Sequence, residues 1–333
     1  MKKIFIILAT LLSFGLISCK AVSAKKMSIA VFIPGICADS PTYAMLRDGV
    51  SLAVDEWNYN KEMEDKTKLY VLEAGTNQSE WPAKITALAA EGKYDVIISS
   101  NPSLPEIVLP IIEQFPAQKF ILMDAEYSGN KNICTVCYNQ YEQAYLTGYI
   151  AGLMSKSHKL GLVAAQEYPV MNNIIYPYFE KGAKDANSAS SVAFRLVGNW
   201  YDANKGAMLS DILYEEGVDV ILPICGGASQ GVINSAVNNN FYITWFDNNG
   251  FDKAPGNIIS STVMLQQELS AIMTTDFLKG KTAWGSAKML GVKDGFVDFV
   301  QDDPLYISTV PQNVRDQMAG LVEAIKSGAK VIQ

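Results

Sequence analysis

Ser28-Ile29-Ala30-Val31-Phe32-Ile33, followed by Pro34-Gly35 and then by Ser40-Pro41-Thr42-Tyr43 at the head of a long amphipathic segment, is the stretch that decides the fold. The first block is a short apolar run of strand length bounded by turn residues, and it reads as a buried strand. From Pro41 to Tyr59 the apolar positions Tyr43, Leu46, Val50, Val54 and Trp57 recur at spacings of three and four, the signature of a helix with one buried stripe. Ser40 is the expected N-cap and Pro41 the first turn.

The same alternation continues outward. Strands are expected at Lys68 to Glu73, Tyr94 to Ser99 and Lys119 to Asp124, with helices around Pro82 to Ala90 and Glu106 to Phe115 between them. A second series follows: helices Gln140 to Met154, Asn173 to Asn187, Asn204 to Glu216 and Gln230 to Asn238, interleaved with strands Lys159 to Ala165, Val192 to Val197, Val218 to Ile224 and Tyr242 to Phe246. Repeated strand-helix-strand units imply mostly parallel sheets covered by helices on both faces, so the class is α/β with two Rossmann-like lobes. Beyond Gly256 there are too few segments for a third domain, and they are expected to return and complete the two lobes. The expected boundaries are 28–138 plus about 258–282 for lobe 1, and 139–257 plus about 283–333 for lobe 2.

In open parallel sheets a ligand sits beyond the carboxyl ends of the strands. Those positions hold Pro34-Gly35, Asn101, Asp124, Gln166-Glu167-Tyr168, Asn199-Trp200, Gly226-Gly227 and Asp247-Asn248-Asn249. They are amidic, carboxylate, aromatic or small, which suits an uncharged polar ligand with an aromatic body and lacks the lysine, arginine and glycine cluster that phosphate needs. Bland roles stand beside the functional ones: Tyr43 lies on the apolar stripe of its helix, Asp124 can cap a turn, Asp202 is expected to cap the next helix, and Gly226-Gly227 can serve the turn alone.

The chain begins with Lys2-Lys3, an apolar stretch from Ile4 to Gly15 too short to span a bilayer comfortably, and Leu16-Ile17-Ser18-Cys19. This pattern resembles a bacterial lipobox, so residues 1–18 are expected to be a signal peptide, Cys19 the lipidated residue and 19–27 a tether. Several long acyl chains hold a domain at a membrane stably where one does not. The body that follows has no apolar run of spanning length. A formal net charge of -7 and a single histidine, His158, argue against nucleic acid as a partner. Cys37, Cys134, Cys137 and Cys225 are expected to pack as small apolar side chains, without a metal or a disulfide framework. Catalysis is not expected: His158 has no nucleophile motif, no cluster of aspartates suits a metal, and no glycine-rich dinucleotide fingerprint follows the first strand.

Asn132-Ile133-Cys134-Thr135-Val136-Cys137-Tyr138-Asn139-Gln140-Tyr141-Glu142-Gln143-Ala144-Tyr145-Leu146-Thr147-Gly148 is similar to N-V-x-S-x-x-F-x-x-x-E-x-x-F-L-x-G. With Gly198-Asn199-Trp200-Tyr201-Asp202 and Gly217-Val218-Asp219-Val220-Ile221 behind it, the chain resembles the basic membrane protein family of type I solute-binding lipoproteins, which includes purine-nucleoside receptors. The resemblance runs from about Ile29 to Val300. It implies a type I periplasmic-binding-protein fold whose lobes close on a ligand and deliver it to an ABC permease, as a monomer anchored to the membrane and facing the periplasm or exterior.

The departures from the family pattern bear on the ligand. Around Gly35 the family's first aspartate position is Ile33, its aromatic is Thr42 and its asparagine is Tyr43; a downstream lysine falls at Met264 and a phenylalanine at Ile233. The family carboxylate that holds ribose hydroxyls matches Asp247. A lost lysine, a gained methionine and repositioned aromatics imply a larger, more apolar ring than a purine, and the resemblance is closest to the riboflavin-uptake branch. Riboflavin is expected as transported ligand, not as cofactor, and no cofactor is implied. A purine nucleoside is the alternative ligand, and a structural or signalling surface lipoprotein the alternative class. Expected ligand residues are Ser40, Tyr43, Asn101, Asp124, Tyr141, Asn172, Trp200, Gly226, Trp245, Asp247 and Met264.

Overall fold

The protein is described here by a computed structural model covering residues 26–332. The expected signal peptide, Cys19 and most of the tether lie outside the described residues. Twelve strands in the described residues form two six-stranded sheets. The first holds β1 (Ser28–Ile33), β2 (Lys68–Glu73), β3 (Val96–Ser100), β4 (Phe120–Met123), β5 (Ile133–Tyr138) and β11 (Ala287–Leu290), in the order β11-β5-β4-β3-β1-β2. The second holds β6 (Lys159–Ala164), β7 (Ser191–Leu196), β8 (Val220–Ile224), β9 (Tyr242–Asp247), β10 (Ile258–Met264) and β12 (Val297–Phe299), in the order β12-β10-β9-β8-β6-β7. Every pairing is parallel except β10 with β12. The central strands β1, β3, β4 and β5 are almost wholly buried, as strands covered on both faces must be.

The helices are α1 (Pro41–Asn58), α2 (Trp81–Ala90), α3 (Leu104–Gln114), α4 (Gln140–Met154), α5 (Tyr176–Ala186), α6 (Ala203–Glu215), α7 (Ser229–Asn239), α8 (Gln266–Leu278), α9 (Pro304–Thr309) and α10 (Gln312–Lys326). Ser40 accepts from the Tyr43 backbone N–H and Asp202 from that of Lys205, so both cap their helices as expected. None of these helices is long and apolar enough to cross a membrane. Cys37, Cys134, Cys137 and Cys225 are free and buried, filling core space.

The chain crosses between lobes three times, and the crossing points correct the expected boundaries. Segment 258–264, expected in lobe 1, is β10 and is hydrogen-bonded to β9 and β12 of lobe 2. The connection from β9 is short and contains no full helix, so the strand settles beside its predecessor. Only then does the chain cross: α8 packs on α1, with Ser270 Oγ directed at the Met45 carbonyl oxygen (3.5 Å), and β11, expected in lobe 2, pairs with β5. Lobe 1 is therefore 26–138 with about 265–290, and lobe 2 is 139–264 with about 291–332. The crossings lie between β5 and α4, β10 and α8, and β11 and β12. They are tied together: Tyr138 Oη donates to Gln266 Oε1 (2.5 Å), the Asn139 N–H to the Leu290 carbonyl (2.8 Å) and the Val292 N–H to Glu142 Oε2 (2.7 Å).

Candidate functional site: the cleft between the lobes

The two sheets share one internal order, and in each the third strand from the crossover edge ends at an aspartate. β4 runs into Asp124 and β9 ends at Asp247, so these residues occupy equivalent places in the two lobes. Both hold the left-handed backbone conformation, with φ of 52° and 73°. That conformation is uncommon outside glycine and carries strain, which is found at functional sites more often than elsewhere. It turns each chain sharply at the end of its strand, where a carboxyl can face the cleft.

Each carboxyl receives a hydrogen bond from the first turn of α4. Gln140 Nε2 donates to Asp124 Oδ1 (2.9 Å), and Gln143 Nε2 donates to Asp247 Oδ1 (3.1 Å) and to the Thr262 carbonyl (3.2 Å). Burial, and then the facing charge of Asp247, push Asp124 up to about 8 against the stabilising donor from Gln140. Burial pushes Asp247 up to about 6 against the donor from Gln143. No lysine or arginine among the described residues acts on either group. A cation-free pair of this kind is hostile to a ligand anion, and a carboxyl that is partly protonated can both donate to and accept from a hydroxyl.

Aromatic side chains surround the pair. Tyr43 from α1 has its hydroxyl hydrogen-bonded by Asn101 Nδ2 (3.1 Å), and Asn101 in turn is fixed by Ser103, whose N–H and hydroxyl donate to its Oδ1. Tyr43 feels Asp124 and Tyr201 electrostatically, and Tyr168 feels Asp247, Asp124 and Tyr43; desolvation raises both phenols well above their ordinary range. Residues of lobe 1 and lobe 2 therefore meet at this point. Trp200 lies with its ring centroid 6.3 Å from that of Tyr168, and its Nε1 is buried without a partner. An orphaned buried donor costs the fold free energy, and beside a cleft it marks a place for an acceptor.

Most other expected ligand residues have structural partners. Gly226 has φ of 57° and carries no Cβ, which would come within 3.0 Å of the Trp200 carbonyl oxygen, so it lets the β8 turn lie against Trp200. Trp245 has its Nε1 bonded to Asn248 Oδ1 (2.8 Å) and its ring against Gly250, with one face under Lys253. Tyr141 packs edge-on against Tyr178 at 4.8 Å, and Asn172 is exposed on a π-helical turn, Met171–Ile175, ahead of α5. Met264 is 3% exposed within the apolar core at the end of β10. Of the residues expected at the ligand, the structure gathers Tyr43, Asn101, Asp124, Trp200, Gly226 and Asp247 into one region. To these it adds Tyr168, Gln140 and Gln143. Tyr168 stood at a strand end and was legible by the same rule; the glutamines gave no signal.

Residues 26–330 match the family described as Bmp, ABC transporter substrate-binding protein PnrA-like. The chain belongs to this family. Among curated relatives, Basic membrane protein A of Borreliella burgdorferi is 26% identical over 278 residues, covering 80% of each chain, and Basic membrane protein B of Borrelia garinii subsp. bavariensis is 24% identical over 282 residues, covering 82% of this chain and 81% of that one. Among solved structures, an ABC transporter solute-binding protein from Aeropyrum pernix superposes with a TM-score of 0.77 at 18% identity, covering 91% of this chain and 92% of that one. A transcriptional activator of the comK gene from Bacillus halodurans gives 0.72 at 22% identity, covering 91% and 99%. These likenesses carry the fold, a two-lobed α/β architecture of the solute-binding type. By that family the chain is an ABC transporter substrate-binding protein.

Proposed function

We propose that the protein captures riboflavin for an ABC importer, holding the ring among Tyr43, Tyr168 and Trp200 and the ribityl hydroxyls on Asp247 and Asp124. The observation that carries this reading is the facing pair of strand-end carboxyls, free of any acting cation and walled by aromatics. Such a site supports a neutral ligand with a flat ring and several hydroxyls. Stacking adds about 0.5 to 1.5 kcal/mol per aromatic pair beyond area burial, and the free Trp200 Nε1 offers a donor to a ring carbonyl or ring nitrogen.

A purine nucleoside is the second reading, favoured by the Asp247 and Gln143 pair, which suits a ribose as well as a ribityl chain. On either reading the ligand bridges both lobes, and the closed form is stabilised by contacts the open form cannot make. The permease then engages the closed receptor. Lipid on Cys19 keeps the body, a monomer with no cofactor and no catalytic step, at the outer face of the membrane.

Purification of the chain without residues 1–19, followed by its absorbance and fluorescence spectra, tests the ligand. Flavin released on denaturation, or quenching of protein fluorescence by added riboflavin, is the expected result. Quenching by guanosine or inosine alone would replace the flavin with a nucleoside. Turnover of either compound would replace the receptor with an enzyme.

A further inference from the structure

We propose that Gln140 and Gln143 are positioning residues for ligand capture: from one turn of α4, each holds the strand-end carboxyl of a different lobe in its ligand-facing orientation. The inference rests on the reading that Asp124 and Asp247 contact ligand. Its own basis is geometric. α4 starts immediately after β5, so its first turn is where the chain leaves lobe 1, while its body packs on α5, β9, β10 and β12 of lobe 2. Residues three apart lie on the same face of a helix. That face reaches Asp124 of lobe 1 through Gln140 and Asp247 of lobe 2 through Gln143.

The two contacts differ in what lobe movement does to them. Gln143 is fully buried and is also bonded to the Thr262 carbonyl of β10, so its grip on Asp247 travels with lobe 2. The Gln140 contact with Asp124 spans the crossing itself, so it forms or loosens as the lobes close or part. Both amide oxygens are buried with no hydrogen-bond partner. A core selected for stability alone would not leave two neighbouring amides half satisfied, and such violations gather where function imposes them. The groups around the carboxyls are otherwise neutral or acidic: Tyr43 from α1, Tyr138 and Cys137 from β5, and Tyr168 beyond β6 feel Asp124, and Tyr138 and Tyr168 also feel Asp247. Among the described residues the glutamine amides are the side-chain donors to these two carboxyls.

A donor to a carboxylate favours its ionised form, and removing the donor raises the pKa. Gln140→Met should therefore raise the titration midpoint of Asp124, and Gln143→Met that of Asp247, each by about half a unit or more, with the other carboxyl moving less. Carbon-13 NMR of the side-chain carboxyls in ligand-free protein reads this directly, with Asp124→Asn and Asp247→Asn supplying assignments. Riboflavin and guanosine titrations of the same variants should show about tenfold weaker binding of whichever probe the wild type takes. Should Gln143→Met fail to fold, Gln143→Asn shortens the reach of the amide and keeps its chemistry. An unmoved Asp247 midpoint in Gln143→Met, whose contact stays within lobe 2 whether the lobes are open or closed, overturns the inference whatever the ligand. Affinity lost in the aspartate variants but kept in the glutamine variants overturns it while leaving the site intact; affinity kept in the aspartate variants removes the site, and the inference with it.

Discussion

Replacing Asp124 by Asn should make the ligand-free protein more stable, and increasingly so as pH rises. The carboxyl moves from 3.8 to about 8 on folding, roughly four units at about 1.4 kcal/mol each. A group whose folded pKa is raised contributes stability that is whole below its unfolded pKa and lost as pH rises through the folded one. Between pH 4 and 8 the wild type thus loses stability that an uncharged Asn retains, with a ceiling of roughly 6 kcal/mol. Parting of the lobes returns water to the carboxyl before the chain unfolds, so the penalty that survives to global unfolding is capped by the cost of opening, and about 2 to 4 kcal/mol is the expected difference. Urea unfolding of both proteins at pH 4, 6, 7 and 9 measures it. Curves that coincide at pH 4 and separate progressively toward pH 9, with the variant more stable, are expected. A constant offset, or a wild type that gains on the variant with pH, would refute the account of the desolvated carboxyl pair.

Two further outcomes follow from packing. Gly231 lies in α7 against α6, where a Cβ would collide with the Ala203 carbonyl oxygen and the Ala207 amide nitrogen, so Gly231→Ala should force these helices apart and cost about 1 to 3 kcal/mol in urea unfolding; an unchanged midpoint would mean that this packing is loose. Cys37, Cys134, Cys137 and Cys225 should react with a thiol reagent only after denaturation, burial holding each thiol above its ordinary pKa, and rapid labelling of the native body would contradict the packing role given to them.

The strand-helix order was legible because its periods are unmixed: β1 is an apolar run from Ile29 to Ile33 and α1 carries a single stripe. The position of Asp247 was legible too, since strand ends are where such folds bind. The crossings were not. Whether 258–264 pairs with β9 or returns to lobe 1 is decided by which strand edge takes its backbone hydrogen bonds, and an apolar strand pattern does not name its partner. The glutamines were hidden for a related reason. α4 is buried on nearly all sides from Glu142 to Gly148, so it has no polar face against which Gln143 would stand out. Trp200 and Trp245 stand alike among the expected ligand residues, yet the indole N–H of Trp245 is consumed by Asn248 while that of Trp200 is left open. Hydrogen-bond satisfaction is a property of the fold, and only the fold separates the two.

Calorimetric titration of the wild type and of Asp247→Ala with riboflavin, beside guanosine, tests the central claim most directly. The account predicts saturable one-to-one binding of riboflavin by the wild type and a loss of about 1.5 to 3 kcal/mol, or roughly 10- to 150-fold, in the variant. Failure of riboflavin to bind the wild type, or equal affinity in the two proteins, would contradict it.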